Sequence, residues 1–371
     1  MADVDAIMAP WWERLRRDVA GLELFDAHTH IGADDPDGMT QTPEQLLAAL
    51  ARADARAVVF PLHEPSGYRA ANDRVLEAAA ASGDRLVAFC RVDPHADALA
   101  EARRCLDAGA RGIKLHPRAE RFVLGEPEVR ELVALAEERR ACVLIHAGRG
   151  IPALGRDSVR LSGEFPGARL ILAHAAISDL AWLWRVLGER PNLFVDTAWW
   201  DPADMIALFT LVPPANLLWA SDSPYGLPLT SAAAHLRLAA QAGLGPAALR
   251  SIAGGQLERL LGGEEPADAG PAPGAARPLD PLLERTVSHL AQACARTFVR
   301  GSAEEPVALA RLACAVGEDG PHAPLFVAVL RLLDAYDELL APPPPGQTFP
   351  LATRLLVAAA SIARTPDVPL P

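Results

Sequence analysis

The sequence contains no apolar run long enough to cross a membrane. Its best stretch, Leu355 to Ala363, falls far short of the roughly 20 residues that a spanning helix requires. The opening residues hold Trp11, Trp12 and several arginines without a continuous apolar core, which is not the pattern of a secretion signal. Cysteine is scarce. Five residues, an odd number at wide and irregular spacing, make neither a disulfide framework nor a CxxC site. Cys90, Cys142 and Cys294 fall inside apolar runs, where cysteine behaves as a small core residue. These absences together give the expectation of a cytoplasmic protein. A basic excess is also missing: the formal net charge is -12. Nucleic acid and anionic membranes are therefore not expected as partners, since both select basic surfaces. A small-molecule substrate is the expected partner, and a homo-oligomer is compatible with the composition.

What is present is an alternation. The chain has 371 residues, 50% of them apolar and 22% charged, enough for a barrel-sized core and a further module. Short β-type runs end near His30, Glu64, Asp93, His116, His146, His174, Asp196 and Asp222. Alanine- and leucine-rich helical stretches over 43–53, 72–81, 95–108, 128–140 and 178–187 lie between them. The first opens with Thr42-Pro43-Glu44, a start signal with proline in the first turn. Runs such as Ala57-Val58-Val59-Phe60 and Cys142-Val143-Leu144-Ile145 are apolar throughout, as in a parallel sheet covered on both faces. Eight such units in about 230 residues predict an α/β fold, a (β/α)8 TIM barrel, rather than an open sheet.

The barrel is expected over residues 1–262, followed by a Pro/Gly/Ala-rich linker over 263–278 that is too poor in large apolar side chains to pack. Residues 279–371 then read as a small all-α C-terminal module. Leu283, Val287, Leu290, Cys294 and Phe298 recur at helical spacing, as do Val329, Leu332, Tyr336 and Leu340, before the Pro342–Pro345 run. The module carries no catalytic signature. A stabilising cap or an oligomerisation role, separable from the site, is the expectation.

The most informative stretch is Asp26-Ala27-His28-Thr29-His30. Side chains two apart on a strand point the same way, so His28 and His30 project together. Two close histidines alone are as often structural as functional. The reading gains weight because other strands also end in ligand types, at His146, His174 and Asp222. Catalytic zinc sites use a few His and carboxylate ligands and keep a position open for water. His28, His30, His146 and Asp222 are thus expected around a divalent metal, with zinc favoured and manganese or iron allowed. One or two ions fit. Asp222 is expected to act as general base and then acid, with His174 as a ligand of a second ion or a partner of the water or substrate.

Lys114 and His116 form another pair two apart, stopped by Pro117. Lys114 reads either as a substrate-binding cation or as a carbamylated bridge between two metals, because a buried lysine loses its proton readily. His116 and Arg149 are further candidates for substrate contact. Asp196 is expected to orient a ligand. His63, Glu64, Arg91 and Arg118 also fall near strand ends, where each alone is more often a surface residue.

These motifs, with Gly112-Ile113-Lys114-Leu115-His116-Pro117, Leu144-Ile145-His146-Ala147-Gly148, Leu172-Ala173-His174 and Ala220-Ser221-Asp222-Ser223-Pro224-Tyr225-Gly226, resemble the amidohydrolase superfamily. The nearest likeness is to its amidohydrolase family 2 branch of metal-dependent TIM-barrel hydrolases, over roughly residues 22 to 262. The resemblance implies a site of the HxH, His, His, Asp type on strands one, five, six and eight. It also implies hydrolysis of an amide, ester or lactone bond by a metal-activated water. The same branch includes non-oxidative decarboxylases of small carboxylic acids, and a non-catalytic metal-binding scaffold with an interacting helical module is a third reading. In the branch the closing helix usually carries Gly-Asn-Ala. Here it reads Gly255-Gln256-Leu257, which puts its packing in question.

Overall fold

The computed structural model describes residues 3–274, 280–340 and 351–371. The strands are β1 Leu24–Ile31, β2 Ala55–Pro61, β3 Leu86–Arg91, β4 Gly112–Leu115, β5 Cys142–Ile145, β6 Arg169–Leu172, β7 Leu193–Asp196 and β8 Leu217–Leu218. They form one parallel sheet in sequence order. The ring closes between its ends: Ala27 N–H donates to Trp219 O at 3.0 Å, Asp222 N–H to His28 O at 2.9 Å, and His30 N–H to Ser223 O at 2.8 Å. This is the TIM barrel that the alternation predicts.

Helix α1 (Val4–Asp18) precedes the barrel. Helices α2 Pro43–Ala53, α3 Arg69–Ala81, α4 Ala98–Asp107, α5 Pro127–Arg139, α6 Leu154–Glu164, α7 Leu180–Leu187 and α8 Pro202–Leu211 follow strands one to seven in turn. After β8 come α9 Pro228–Gln241, α10 Pro246–Arg250 and α11 Gln256–Gly262. Helix α2 begins as its sequence requires. Thr42 Oγ1 accepts from Gln45 N–H at 3.2 Å while Gln45 Oε1 accepts from Thr42 N–H at 2.9 Å, so two orphan donors of the first turn are satisfied reciprocally.

Strand alternation sorts the side chains into two layers. Ala57 and Val59 of β2 belong to the apolar layer under the helices. Val58 and Phe60 belong to a second cluster inside the barrel, with Phe25, Phe89, Leu144, Ile171 and Phe194. Each buried Phe of that cluster stabilises the fold by roughly 1.5–3 kcal/mol over leaving it exposed. Leu257, Leu260 and Leu261 of α11 join the inner cluster and plug the end opposite the site. Gln256, the departure noted above, donates to Ala215 O at 2.6 Å and accepts from Ala267 N–H at 3.0 Å. The longer amide thus ties the closing helix to the chain on both sides of it.

Residues 263–274 run without regular structure; the linker's remaining residues and the Pro342–Pro345 run lie outside the described residues. Helices α12 Pro281–Phe298, α13 Glu304–Ala313, α14 Ala323–Leu339 and α15 Thr353–Ala363 follow. Helix α15 packs on α12, α14 and also α9 of the barrel. The segment after it is fastened by Arg237 of α9, which donates to Thr365 Oγ1 (2.6 Å) and to the carbonyls of Thr365, Val368 and Pro369 (2.9, 2.6 and 2.7 Å). Among the described residues no helix is long and apolar enough to cross a membrane.

Candidate metal centre

The same alternation decides what faces the barrel mouth. On β4, Ile113 and Leu115 pack outward, so Lys114 between them points in. On β1 the register shifts between Asp26 and Thr29. Phe25 and Ala27 fill the interior, and the irregularity then re-aims the strand so that His28 and His30 reach the mouth. Bulges next to active sites commonly do this.

Each of the two imidazoles is held from behind. His28 Nδ1 lies 2.8 Å from Asp196 Oδ2, and His30 Nδ1 lies 3.4 Å from Pro61 O. A proton on each Nδ1 satisfies these partners and leaves a lone pair at Nε2, the form in which an imidazole binds a metal. Those lone pairs meet Asp222 Oδ1, at 3.2 Å from His28 and 3.1 Å from His30. With both imidazole protons on Nδ1 the three atoms are all acceptors, and a cation between them relieves their repulsion. His28, His30 and Asp222 offer ligand atoms all within 4.8 Å of one another. The arrangement fits a divalent metal.

Asp222 is brought there by a costly backbone. Its φ is +59°, in the left-handed region that a non-glycine residue occupies at roughly 1–2 kcal/mol. His174, Ala175 and Ala176 are also left-handed, at φ 56°, 56° and 48°. Outliers of this kind cluster at functional sites. The turn after Asp222 closes through Gly226 N–H to Asp222 O at 3.1 Å. At Gly226 a Cβ would sit 2.0 Å from Ser221 O, so only glycine fits.

His146 and His174 form an adjoining pair rather than part of the three-ligand group. His174 Nδ1 donates to Ala198 O at 2.7 Å, and its Nε2 lies 2.9 Å from His146 Nδ1. With the His174 proton on Nδ1, His146 must donate, which leaves a lone pair on His146 Nε2. That atom is buried and has no hydrogen-bond partner among the described residues. His116 stacks on His146 with centroids 3.7 Å apart. The nearest approach of the pair to Asp222 is 3.9 Å, from His174 Nδ1 to Oδ2.

Lys114 is the chain's only lysine. It is fully buried, with Nζ 3.3 Å from His28 Nε2 and 4.6 Å above the Phe60 ring. Burial and then the charge of Arg91 lower its pKa to about 7, against the pull of Asp196 and Asp222. Burial likewise raises Asp222 to about 6, opposed by His174 and Lys114, and Asp196 to about 7, opposed by its bond from Ala198 N–H. Burial, reinforced by Lys114, holds His28 and His30 well below the usual histidine range. Both rings are therefore neutral at pH 7 and competent to bind a metal.

A cavity of about 240 Å³ opens from Asp222, His174 and His146. Arg118 and Arg149 line it, as do Trp199 and Trp200 beyond β7. So do residues the sequence reading missed: Phe298 of α12 and Thr353, Arg354 and Val357 of α15. The Trp pair after a strand end was a usable signal in a chain with 5% aromatics. Arg354 offered none, since 129 residues separate it from Tyr225, the residue it contacts. Of the other candidates, Arg91 pairs with Glu120 at 2.8 Å and Glu64 with Arg74 at 3.2 Å, and His63 lines a separate groove.

The sequence model of the family described as Amidohydrolase (Amidohydro_2) matches residues 25–263. The chain belongs to this amidohydrolase family. No curated protein matches it in sequence. Among solved structures, 5-carboxyvanillate decarboxylase from Sphingomonas paucimobilis superposes with a TM-score of 0.51 at 18% identity, over 65% of this chain and 99% of that one. 2,6-Dihydroxybenzoate decarboxylase from Rhizobium gives 0.52 at 16%, over 65% and 99%. An amidohydrolase from Staphylococcus aureus, itself described as putative, gives 0.51 at 15%, over 65% and 100%. At these identities the likeness speaks for the fold alone. The family assignment and the convergent His-His-Asp group agree on divalent-metal dependence.

Proposed function

We propose that this amidohydrolase-family barrel is a metal-dependent hydrolase of an amide, ester or lactone bond in a small molecule. The observation that carries the reading is the convergence of His28 Nε2, His30 Nε2 and Asp222 Oδ1, with Asp222 also lining the cavity. These residues would hold the ion, and zinc suits two imidazoles and a carboxylate. When bound, a divalent ion supplies Lewis acidity, which acidifies water and polarises a carbonyl oxygen.

The chain's own residues do the rest. Asp222 takes a proton from water at a carboxylate oxygen and returns it to the leaving group, a base and then acid role. Asp196 holds the His28 ring in one tautomer from 2.8 Å, as a carboxylate behind a ligating histidine does. His174, bonded at both ring nitrogens, holds the His146 ring in the tautomer whose Nε2 can accept a proton from water or substrate. The apolar walls of Trp199, Trp200 and Phe298 keep bulk water from the reacting bond.

A second reading, a non-oxidative decarboxylase, is favoured by one observation. Arg118 and Arg149 line the cavity, and among the described residues neither has an acidic partner within 4.0 Å. Such a lining suits a carboxylate. The C–C bond would break, carbon dioxide would leave, and the electron pair left on carbon would take a proton from Asp222. Metal-loaded protein offered lactones, esters, amides and aromatic acids in ¹⁸O-water separates the two. A hydrolase puts ¹⁸O into its acid product, whereas a decarboxylase releases carbon dioxide and adds only a solvent proton to carbon. Stoichiometric metal with neither reaction would leave the scaffold.

A further inference from the structure

The family match ends at residue 263, yet one arginine beyond it reaches the turn that carries Asp222. Arg354, in the first turn of α15, donates through Nη2 to Pro224 O at 2.5 Å and to Tyr225 O at 2.8 Å, and through Nε to Tyr225 O at 3.2 Å. Both acceptors lie within three residues of Asp222. Arg354 is half-buried, and withdrawing a guanidinium from water is costly unless a carboxylate or other acceptors compensate it. Among the described residues Arg354 forms no ion pair within 4.0 Å. Its hydrogen-bonded compensation comes from those two carbonyls, with the Asp5 carboxylate acting at longer range.

The turn is one that needs an external hold. Asp222 is left-handed. Strand β1 holds the turn's first half through Asp222 N–H to His28 O and His30 N–H to Ser223 O, and Gly226 N–H to Asp222 O closes it. The carbonyls of Pro224 and Tyr225 are bonded by Arg354. A strained residue persists only where its surroundings over-determine it. Rigid geometry at a ligand in turn needs support from residues that touch no metal. The guanidinium fork fixes two successive carbonyls in one plane, which a single ammonium does less well.

We propose that Arg354 is a positioning residue of the active site, and that helix α15 thereby completes the hold on a turn whose backbone the barrel bonds at Asp222 and Ser223. Arg354 bonds none of the three ligand side chains; its hydrogen bonds go to the turn's backbone. It acts by locking Pro224 and Tyr225, and so the direction in which Asp222 points. The part of this inference that concerns metal geometry rests on the metal-dependent reading above; the locking of the turn does not.

The test uses the full chain with cobalt(II) as the probe metal, and compares Arg354→Met, Arg354→Lys and Arg237→Met. Arg237 fastens the segment after α15 without touching the 221–227 turn, so its variant measures general loosening of the C-terminal helices. Two quantities are read: amide hydrogen exchange over 221–227, and the affinity and visible spectrum of bound cobalt. Arg354→Met is expected to exchange at least tenfold faster over the turn, to bind cobalt about tenfold more weakly and to show an altered spectrum. Arg354→Lys should recover part of each effect, and Arg237→Met should match the wild type in both. Unchanged exchange in Arg354→Met overturns the proposal, as does an equal effect in Arg237→Met. If the wild type takes up no cobalt, the metal reading fails, and the exchange comparison still decides the role of Arg354.

Discussion

Asp196 Oδ2 stands 2.8 Å behind His28 Nδ1. Its other oxygen accepts the backbone N–H groups of His174 at 2.9 Å and Ala198 at 3.0 Å. One carboxylate thus orients an imidazole of the three-ligand group and holds the left-handed turn at the end of β6.

Asp196→Ala removes all three contacts. Loss of such a partner typically costs 10- to 100-fold in metal affinity, and the expected result is a fall of about that size in zinc affinity, measured by competition with a chromophoric chelator. Affinity within twofold of wild type would show that the His28–Asp196 bond does not support the site.

Asp222→Asn keeps the shape of the side chain but cannot accept a proton near neutrality. Turnover of any substrate found should fall by about 10²–10⁴-fold, with an unchanged far-ultraviolet circular dichroism spectrum. Near-normal kcat in the folded variant would take Asp222 out of the proton transfer.

Lys114 gives a count. With His28, His30 and Asp222 forming a group without it, the expectation is a free amine and one metal per chain, both before and after Lys114→Met. Since the chain has a single lysine, ¹³C-bicarbonate can give only one side-chain carbamate signal in the ¹³C spectrum. Such a signal, with two metals in the wild type and one in the variant, would establish the bridge instead.

His235, in α9 at the cavity wall, gives a pH dependence away from the ligands. Burial lowers its pKa to about 4, with a hydrogen bond to the Trp199 backbone acting in the opposite sense. The folded state therefore binds this proton less readily than the unfolded chain, whose histidine titrates near 6.5. Stability from this group is complete above that value and is lost as the pH falls from about 6.5 to 4, by roughly 3 kcal/mol at most. The Tm of the wild type should fall over that window, and that of His235→Leu should fall less. Equal slopes in the two proteins would remove His235 from the acid sensitivity.

The sequence by itself determined the barrel. Eight apolar runs spaced by helical stretches have one compact parallel solution, and residues at the runs' C-terminal ends must gather at one mouth. That logic placed His28, His30 and Asp222 together and put Lys114 on the inner face of β4, because a two-residue period needs no tertiary information. It also placed His146 among the ligands; in the fold that ring lies 2.9 Å from His174, beside the three-residue group. The left-handed turn at His174 is a backbone outlier that leaves no trace in a hydrophobic pattern. The irregularity in β1 was equally invisible, because a one-residue shift in pairing changes no residue type. The long-range contacts lay furthest from reach. Phe298, Thr353, Arg354 and Val357 reach the cavity because α15 packs on α9 and α8 and α12 packs on α15. Which face of a helical segment meets a distant barrel depends on packing between whole elements, which only the tertiary structure decides.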